Sequence, residues 1–166
     1  MKTVALSDIS FEVKTGTTLG ILGGTGSGKS TLMYLLNRLY DIPAGHGRIT
    51  VGGVDIADMK ASWVRENIGM VLQEPYLFSR SIAENVGIAR KDVTLSEIRD
   101  AAKVACLDET VEGFSKGYDT FVGERGVTLS GGQKQRAAIA RLVLQKTPVM
   151  VFDDSLSAVD TETDSR

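Results

Sequence analysis

Gly23-Gly24-Thr25-Gly26-Ser27-Gly28-Lys29-Ser30, followed by Thr31, decides how this chain is read. The short apolar run Leu19-Gly20-Ile21-Leu22 stands before it, and the helical pattern Leu32, Met33, Leu35, Leu36 and Leu39 stands after it. Strand, glycine-rich loop and helix in that order predict a phosphate cradle. Glycines let the backbone curl so that successive N–H groups face inward, and the helix N-terminus adds the positive end of its dipole. Lys29 is expected to reach the β- and γ-phosphates of a nucleotide, and the Ser30 hydroxyl to ligand Mg²⁺. The competing reading is a glycine-rich turn that merely connects two elements. A complete G-x-x-x-x-G-K-S in this setting speaks against it.

Further along, Val149-Met150-Val151-Phe152-Asp153-Asp154 is an apolar run ending in two carboxylates. It predicts a buried parallel strand whose tip enters polar surroundings. Asp153 is expected to hold Mg²⁺ through its water shell, and Asp154 to orient a water against the γ-phosphate. A solvated strand end or a helix cap is the plainer alternative for the pair. A second glycine-rich turn, Leu129-Ser130-Gly131-Gly132-Gln133, opens another helix that runs towards Gln145, with Ser130 as a natural N-cap. Read alone it is a common helix start. Beside the first loop, its N–H groups and helix dipole make a second anion cradle suited to a γ-phosphate.

Composition agrees without adding much. The 166 residues suit at most one ordinary domain, and 42% hydrophobic content is enough for a core. Nineteen basic and 21 acidic residues leave a net charge of −2, so no global field favours nucleic acid or anionic lipid. The single cysteine, Cys106, excludes an internal disulfide and suits a reducing compartment. Its apolar neighbourhood, Ala101 to Leu107, predicts a small buried core residue. No apolar run reaches about 18 residues, and Met1-Lys2-Thr3 lacks the apolar core of a signal peptide, so a soluble, cytoplasmic chain is expected. Turns are predicted at Gly45-His46-Gly47 and Gly52-Gly53, and short strands at Arg48–Val51 and Ile68–Val71. From Ser81 onward the pattern turns helical, with a capping box at Thr94-Leu95-Ser96-Glu97.

Taken together, these residues resemble the nucleotide-binding domain of an ATP-binding cassette (ABC) transporter, of the exporter type that includes multidrug and lipid exporters. Gly23 to Thr31 match the family's Walker A loop, Gln73 in Val71-Leu72-Gln73-Glu74 its Q-loop glutamine, and Leu129 to Gln133 its signature. Asp153 matches the Walker B aspartate, Ser157-Ala158-Val159-Asp160 the D-loop, and Gly123-Glu124-Arg125-Gly126 the X-loop of exporters. The resemblance implies an α/β fold: a P-loop NTPase (RecA-like) core with an inserted ABC α-helical subdomain, present as a partial domain. Residues 1–73 and about 141–166 would form the core, and about 74–140 the helical subdomain with the signature. It also implies an ATPase that powers export across a membrane as two such domains close on two ATP molecules head to tail. Each site would join Gly23, Gly24, Thr25, Gly26, Ser27, Gly28, Lys29, Ser30, Thr31 and Gln73 of one domain to Ser130, Gly131, Gly132, Gln133 and Asp160 of the other. Ser30, Gln73 and Asp153 would serve Mg²⁺, and Asp154, Gln73 and Lys29 the reaction itself. The implied partners are a second nucleotide-binding domain and an exporter's transmembrane domain, with no nucleic acid, at the cytoplasmic face of the membrane.

Three features depart from the family's pattern. Asp154 stands where most members carry a glutamate; it is one methylene shorter, so its carboxylate falls about 1 Å short of the attacking water, a misplacement that can cost about a hundredfold in rate. In the family this substitution typifies heterodimeric exporters with one degenerate site. Hence a non-hydrolysing regulatory nucleotide-binding domain of such an exporter is the alternative function. The family's switch histidine lies on a later strand, and the only histidine, His46, reads as a solvated loop residue. Met1 to Ser7 contain no aromatic residue to stack on adenine. On these grounds the isolated chain is expected to be inactive or very weak. A small-molecule kinase would not need Leu129 to Gln133. Chromosome-maintenance ATPases would need room for long coiled coils between Gln73 and Ser130, which this spacing lacks. Soluble translation factors with paired ABC domains fit less well, because Phe78 to Asn85 and Glu124-Arg125-Gly126 resemble exporters.

Overall fold

The chain divides between Glu66 and Asn67 into two units. The structure, a computed structural model, describes residues 4–123 and 126–153. In the first unit, α1 (Lys29–Leu36) follows the glycine-rich loop, and β1 (Thr50–Val51) and β2 (Val54–Asp55) form an antiparallel hairpin. Gly52 and Gly53 connect these strands at φ of 59° and 82°, the left-handed pair that a tight two-residue turn requires. A 3₁₀ turn, Ile56–Asp58, is capped by the Asp55 carboxylate, which accepts from the Ala57 N–H at 2.9 Å. The last helix of this unit, α2 (Ala61–Asn67), runs across the boundary.

The C-terminal end of α1 is closed by arginines. Arg38 takes φ 50°, so that its N–H reaches Leu35 O at 3.1 Å and the next N–H, of Leu39, reaches Tyr34 O at 2.8 Å. Its guanidinium donates to the carbonyls of Ile56, Ala57 and Met59 at 3.1, 3.4 and 2.6 Å. From α2, Arg65 donates to Asn37 O and Arg38 O at 3.3 and 2.8 Å. Carbonyls that a helix end leaves orphaned thus receive positive charge, which also suits the dipole.

In the second unit, β3 (Ile68–Val71) and β4 (Val149–Phe152) pair in parallel, with Ile68 opposite Val149 and Val71 opposite Phe152. The helices α3 (Ile82–Gly87), α4 (Leu95–Val104), α5 (Asp108–Glu112) and α6 (Gly131–Gln145) supply the rest. Three of them start with reciprocal capping boxes: Ser81 with Glu84, Thr94 with Glu97, and Ser130 with Gln133. The core lies among these helices, around Ile82, Val86, Ala102, Leu107, Val111, Ala140 and Leu144. Each fully buried Val, Leu or Ile there contributes about 1.5–3 kcal/mol relative to exposure. α6 rides on β3 at Gly69, where a Cβ would meet Leu142 Cδ1 at 2.1 Å and Thr147 Oγ1 at 2.7 Å.

Sequence expectations and structure differ at four places. The strand expected over Arg48–Val51 is confined to β1, Thr50–Val51. The run Leu19–Leu22 forms no strand, and Leu22 is 99% exposed. A strand needs a ladder partner, and the two described sheets, β1 with β2 and β3 with β4, leave it none. β4 is parallel as expected, yet Met150 and Phe152 are 42% and 43% exposed, because among the described residues it pairs with β3 alone. Cys106 is exposed rather than buried. α4 ends before it, and Cys106 takes the left-handed residue of a Schellman turn: φ is 53°, its N–H reaches Lys103 O at 3.0 Å and the Leu107 N–H reaches Ala102 O at 2.8 Å. Among the described residues, no helix is long and apolar enough to cross a membrane.

Two carboxylates make this helical unit acid-sensitive. The Thr94 N–H, then the Arg90 guanidinium and the Thr94 hydroxyl, pull Glu97 down from 4.5 to about 2. Asp108 is buried at 7% exposure; burial by itself raises its pKa, but hydrogen bonds from the Tyr118 hydroxyl (2.6 Å) and Arg99 outweigh that and leave it lowered. Both groups are depressed in the folded state, so the stability they give is complete above their unfolded values and is lost as pH falls through the folded ones. The melting temperature of the chain is therefore expected to fall from pH 4.5 towards pH 2. Glu97→Gln, which can still cap, should flatten part of that slope in a calorimetric pH series. An unchanged slope would contradict the assignment.

Candidate functional site

The phosphate-type loop is built from backbone that side chains would spoil. Gly26 and Gly28 sit at φ 80° and 94°. At Gly28 a Cβ would lie 2.6 Å from Ala5 O and 2.8 Å from Leu6 Cδ2, and at Gly23 it would lie 2.6 Å from Ser27 Oγ. The loop is stitched by Ser27 N–H to Gly24 O at 3.2 Å, and the helical ladder begins with Leu32 N–H to Gly28 O at 2.9 Å. Lys29 folds back over it: its ammonium donates to Gly23 O and, at 3.1 Å, to Gly24 O.

The start of α1 differs from those of α3, α4 and α6. It has no side-chain cap, and its first turn, unlike those of α3 and α4, carries no acidic residue. An uncapped helix N-terminus, an ammonium ion and the Ser30 and Thr31 hydroxyls form a set rich in donors, which is the chemistry a phosphate chain needs. These residues fit a nucleotide's phosphates.

The second unit brings together Gln73 and Asp153. Parallel pairing with Val71 opposite Phe152 puts both just beyond the same end of the sheet, and the Asp153 N–H donates to Val71 O at 2.9 Å. Asp153 is 7% exposed, whereas Gln73 is open to solvent. A carboxylate at that depth is not a solvated strand end. Asp154, Asp160, Glu124 and Arg125 lie outside the described residues.

Ser130 is exposed at the start of α6. Its Oγ accepts from the Gln133 N–H at 3.2 Å, and Gln133 Oε1 accepts from the Ser130 N–H at 2.9 Å. The capping reading is therefore realised, while the Ser130 hydroxyl proton keeps the ability to donate. Nothing lies within 4 Å of a Cβ placed on Gly131, so this turn opens to its surroundings.

Sequence reasoning missed the residues that hold the segment after β3. Gln135, 2% exposed, donates from Nε2 to Gln73 O and, at 3.3 Å, to Leu72 O. Arg141 donates from Nε to Asn85 O at 2.9 Å and from Nη1 to Tyr76 O at 3.3 Å. Asn85 in turn accepts from the Phe78 N–H at 2.8 Å and donates to Phe78 O at 2.9 Å and Ser81 O at 3.0 Å. A signal for Gln135 was present: it shares a helical face with Ala138 and Leu142, where an apolar residue is the expectation.

Comparison with known proteins places these features in a family. The ABC transporter family profile matches residues 6–157. The ATP-binding/permease protein YgaD of Bacillus subtilis (strain 168), provisionally named for multidrug export, is 47% identical over 159 residues, 96% of this chain and 27% of its own length. The Beta-(1→2)glucan export ATP-binding/permease protein NdvA of Rhizobium meliloti (strain 1021) is 45% identical over 159 residues, with the same coverage of 96% and 27%. A solved structure of a bacterial Atm1-family ABC exporter with ATP bound superposes with a TM-score of 0.79 at 42% identity, covering 85% of this chain and 24% of that one. The chain thus spans about a quarter of the length of these relatives.

Proposed function

Because the chain belongs to the ABC transporter family, with a P-loop NTPase fold, we propose that it is the ATP-binding and ATP-hydrolysing part of an exporter, driven by closure of two such domains on ATP. The observation that carries the reading is the start of α1, which has no side-chain cap and no acidic residue in its own first turn, beside the Lys29 ammonium folded over the loop. In this reading Gly23 to Thr31 cradle the phosphates of ATP, Lys29 trades its bonds to Gly23 O and Gly24 O for phosphate oxygens, and Gln73 faces the nucleotide. Ser30, Gln73 and Asp153 serve Mg²⁺, which supplies charge neutralisation at the phosphates. Among the described residues no group of three or more His, Cys, Asp or Glu could hold a metal. Magnesium here would rely on the nucleotide's own oxygens, as is usual for this ion.

Ser130, Gly131, Gly132, Gln133 and Asp160 act on the ATP of the opposite domain, so ATP is the adhesive between subunits and hydrolysis removes it. The partners are then a second nucleotide-binding domain, more readily a non-identical one, and a transmembrane domain, with the chain on the cytoplasmic face. The helical segment about 74–140 forms a subdomain inserted into a core of 1–73 and about 141–166.

A second reading, a regulatory domain that binds ATP without turning it over, is favoured by one feature, the short carboxylate of Asp154. Asp154→Glu separates the two. In the intact protein that carries this domain, with the opposite site inactivated, the added methylene should raise steady-state phosphate release about tenfold, or roughly 1.4 kcal/mol off the barrier. A wild-type site with robust turnover and no gain from glutamate would dismiss the regulatory reading. A silent site that glutamate does not wake would dismiss Asp154 as its defect.

A further inference from the structure

Gln135 is a costly choice for a buried position. Its Nε2 is satisfied by Leu72 O and Gln73 O, but its Oε1 is buried and has no hydrogen-bond partner among the described residues. Flipping the amide would not help, since it would aim an acceptor at two carbonyls. Methionine of similar length would fill the same space on the face shared with Ala138 and Leu142 and remove the buried Oε1, at the cost of the bonds to Leu72 O and Gln73 O. What a glutamine supplies here is the donor.

That donor joins two parts of the site. Gln135 stands one turn into α6, the helix whose first residues are the Ser130-Gly131-Gly132 turn, and it grips the backbone of Gln73 itself. On the same helix, two turns further, Arg141 grips Tyr76 O and Asn85 O. The segment from Leu72 to Tyr76 is thereby fastened to α6 at both ends, with the Gln73 end held by Gln135. Among the described residues β3 has no ladder beyond Val71, and the Gln73 carbonyl is held by this side chain.

We propose that Gln135 is a positioning residue: it sets the location of Gln73 relative to the signature helix, so that engagement of the Ser130 turn and alignment of Gln73 occur together. The proposal rests on the ATPase reading above for its catalytic consequence, but not for the fastening itself.

The test uses Gln135→Met. In the full chain, hydrogen exchange of the Leu72, Gln73, Glu74 and Tyr76 amides should accelerate by about tenfold or more, while α4 and α5 amides and the melting temperature stay close to wild type. Within the intact transporter, turnover should fall about tenfold with ATP affinity within about twofold, as expected from a displaced group rather than a lost binding contact. Gln73→Ala should cost as much, and the double variant no more than either single one, because both remove one function. If the methionine variant does not fold, Gln135→Glu keeps the size and aims a carboxylate at the same carbonyls, and its loop exchange answers the question. Unchanged exchange at the Leu72, Gln73, Glu74 and Tyr76 amides, or losses that add in the double variant, overturns the proposal. A wild-type protein without MgATP turnover counts against the ATPase reading, and loop exchange then decides the positioning role alone.

Discussion

Replacing Lys29 with alanine is expected to weaken MgATP binding by about thirtyfold and to remove turnover in the intact protein. The size follows from losing a charge-assisted contact to phosphate, worth about 1.5–3 kcal/mol. The same change also releases Gly23 O and Gly24 O, which the ammonium draws together, so the loop loses part of its preorganisation. Calorimetric titration of the chain with ATP and Mg²⁺ measures it. Lys29→Arg is an informative companion: it keeps the charge but carries a planar fork where the loop offers room for a point charge, and it should recover little. Equal affinity in wild type and Lys29→Ala would remove the loop from the account.

Ser130→Asp should abolish ATP-dependent association of two domains while leaving this chain's own ATP affinity unchanged. Aspartate is as good an N-cap as serine, so the bond now made between Ser130 Oγ and the Gln133 N–H can survive and α6 should keep its stability within about 0.5 kcal/mol. What changes is charge: a carboxylate would face the γ-phosphate that the turn is proposed to meet, and like charges brought together cost several kcal/mol. Light scattering with and without ATP reads association, and labelled ATP reads monomer binding. The substitution separates capping from phosphate recognition, which the serine alone combines. Association that persists in Ser130→Asp would mean that capping is all this residue does.

What could be read in the sequence was local. The glycine-rich loop, the Gly52-Gly53 turn, the capping box at Thr94 and the N-cap at Ser130 each depend on a few consecutive residues whose backbone demands are their own. Cys106 was misread because its fate hangs on where α4 stops: one residue past the cap, the apolar pattern no longer describes a helix face. Leu19–Leu22 has the composition of a buried strand, but a strand is made by its neighbours, and composition does not name them. The bond from Gln135 to Gln73 spans 62 residues. No pattern in either segment points to the other, and only the packing of α6 on β3 brings them together. The end of β4 stands between these cases. Asp153 was legible as a carboxylate ending an apolar run, whereas its placement beside the Gln73 segment follows from the parallel register of β3 and β4.

The central claim is that each ATP site is shared, with Lys29 from one domain and Ser130 from the other. In an assembly of two copies of this chain, mixing two defective proteins tests it most directly. A pair made of Lys29→Ala and Ser130→Asp subunits contains one site with both defects and one with neither, as head-to-tail symmetry dictates. Each variant alone should show neither ATP-dependent association nor hydrolysis, and an equimolar mixture of the intact proteins should recover both. A mixture as inactive as its components would contradict the account and place Lys29 and Ser130 in the service of the same chain's nucleotide.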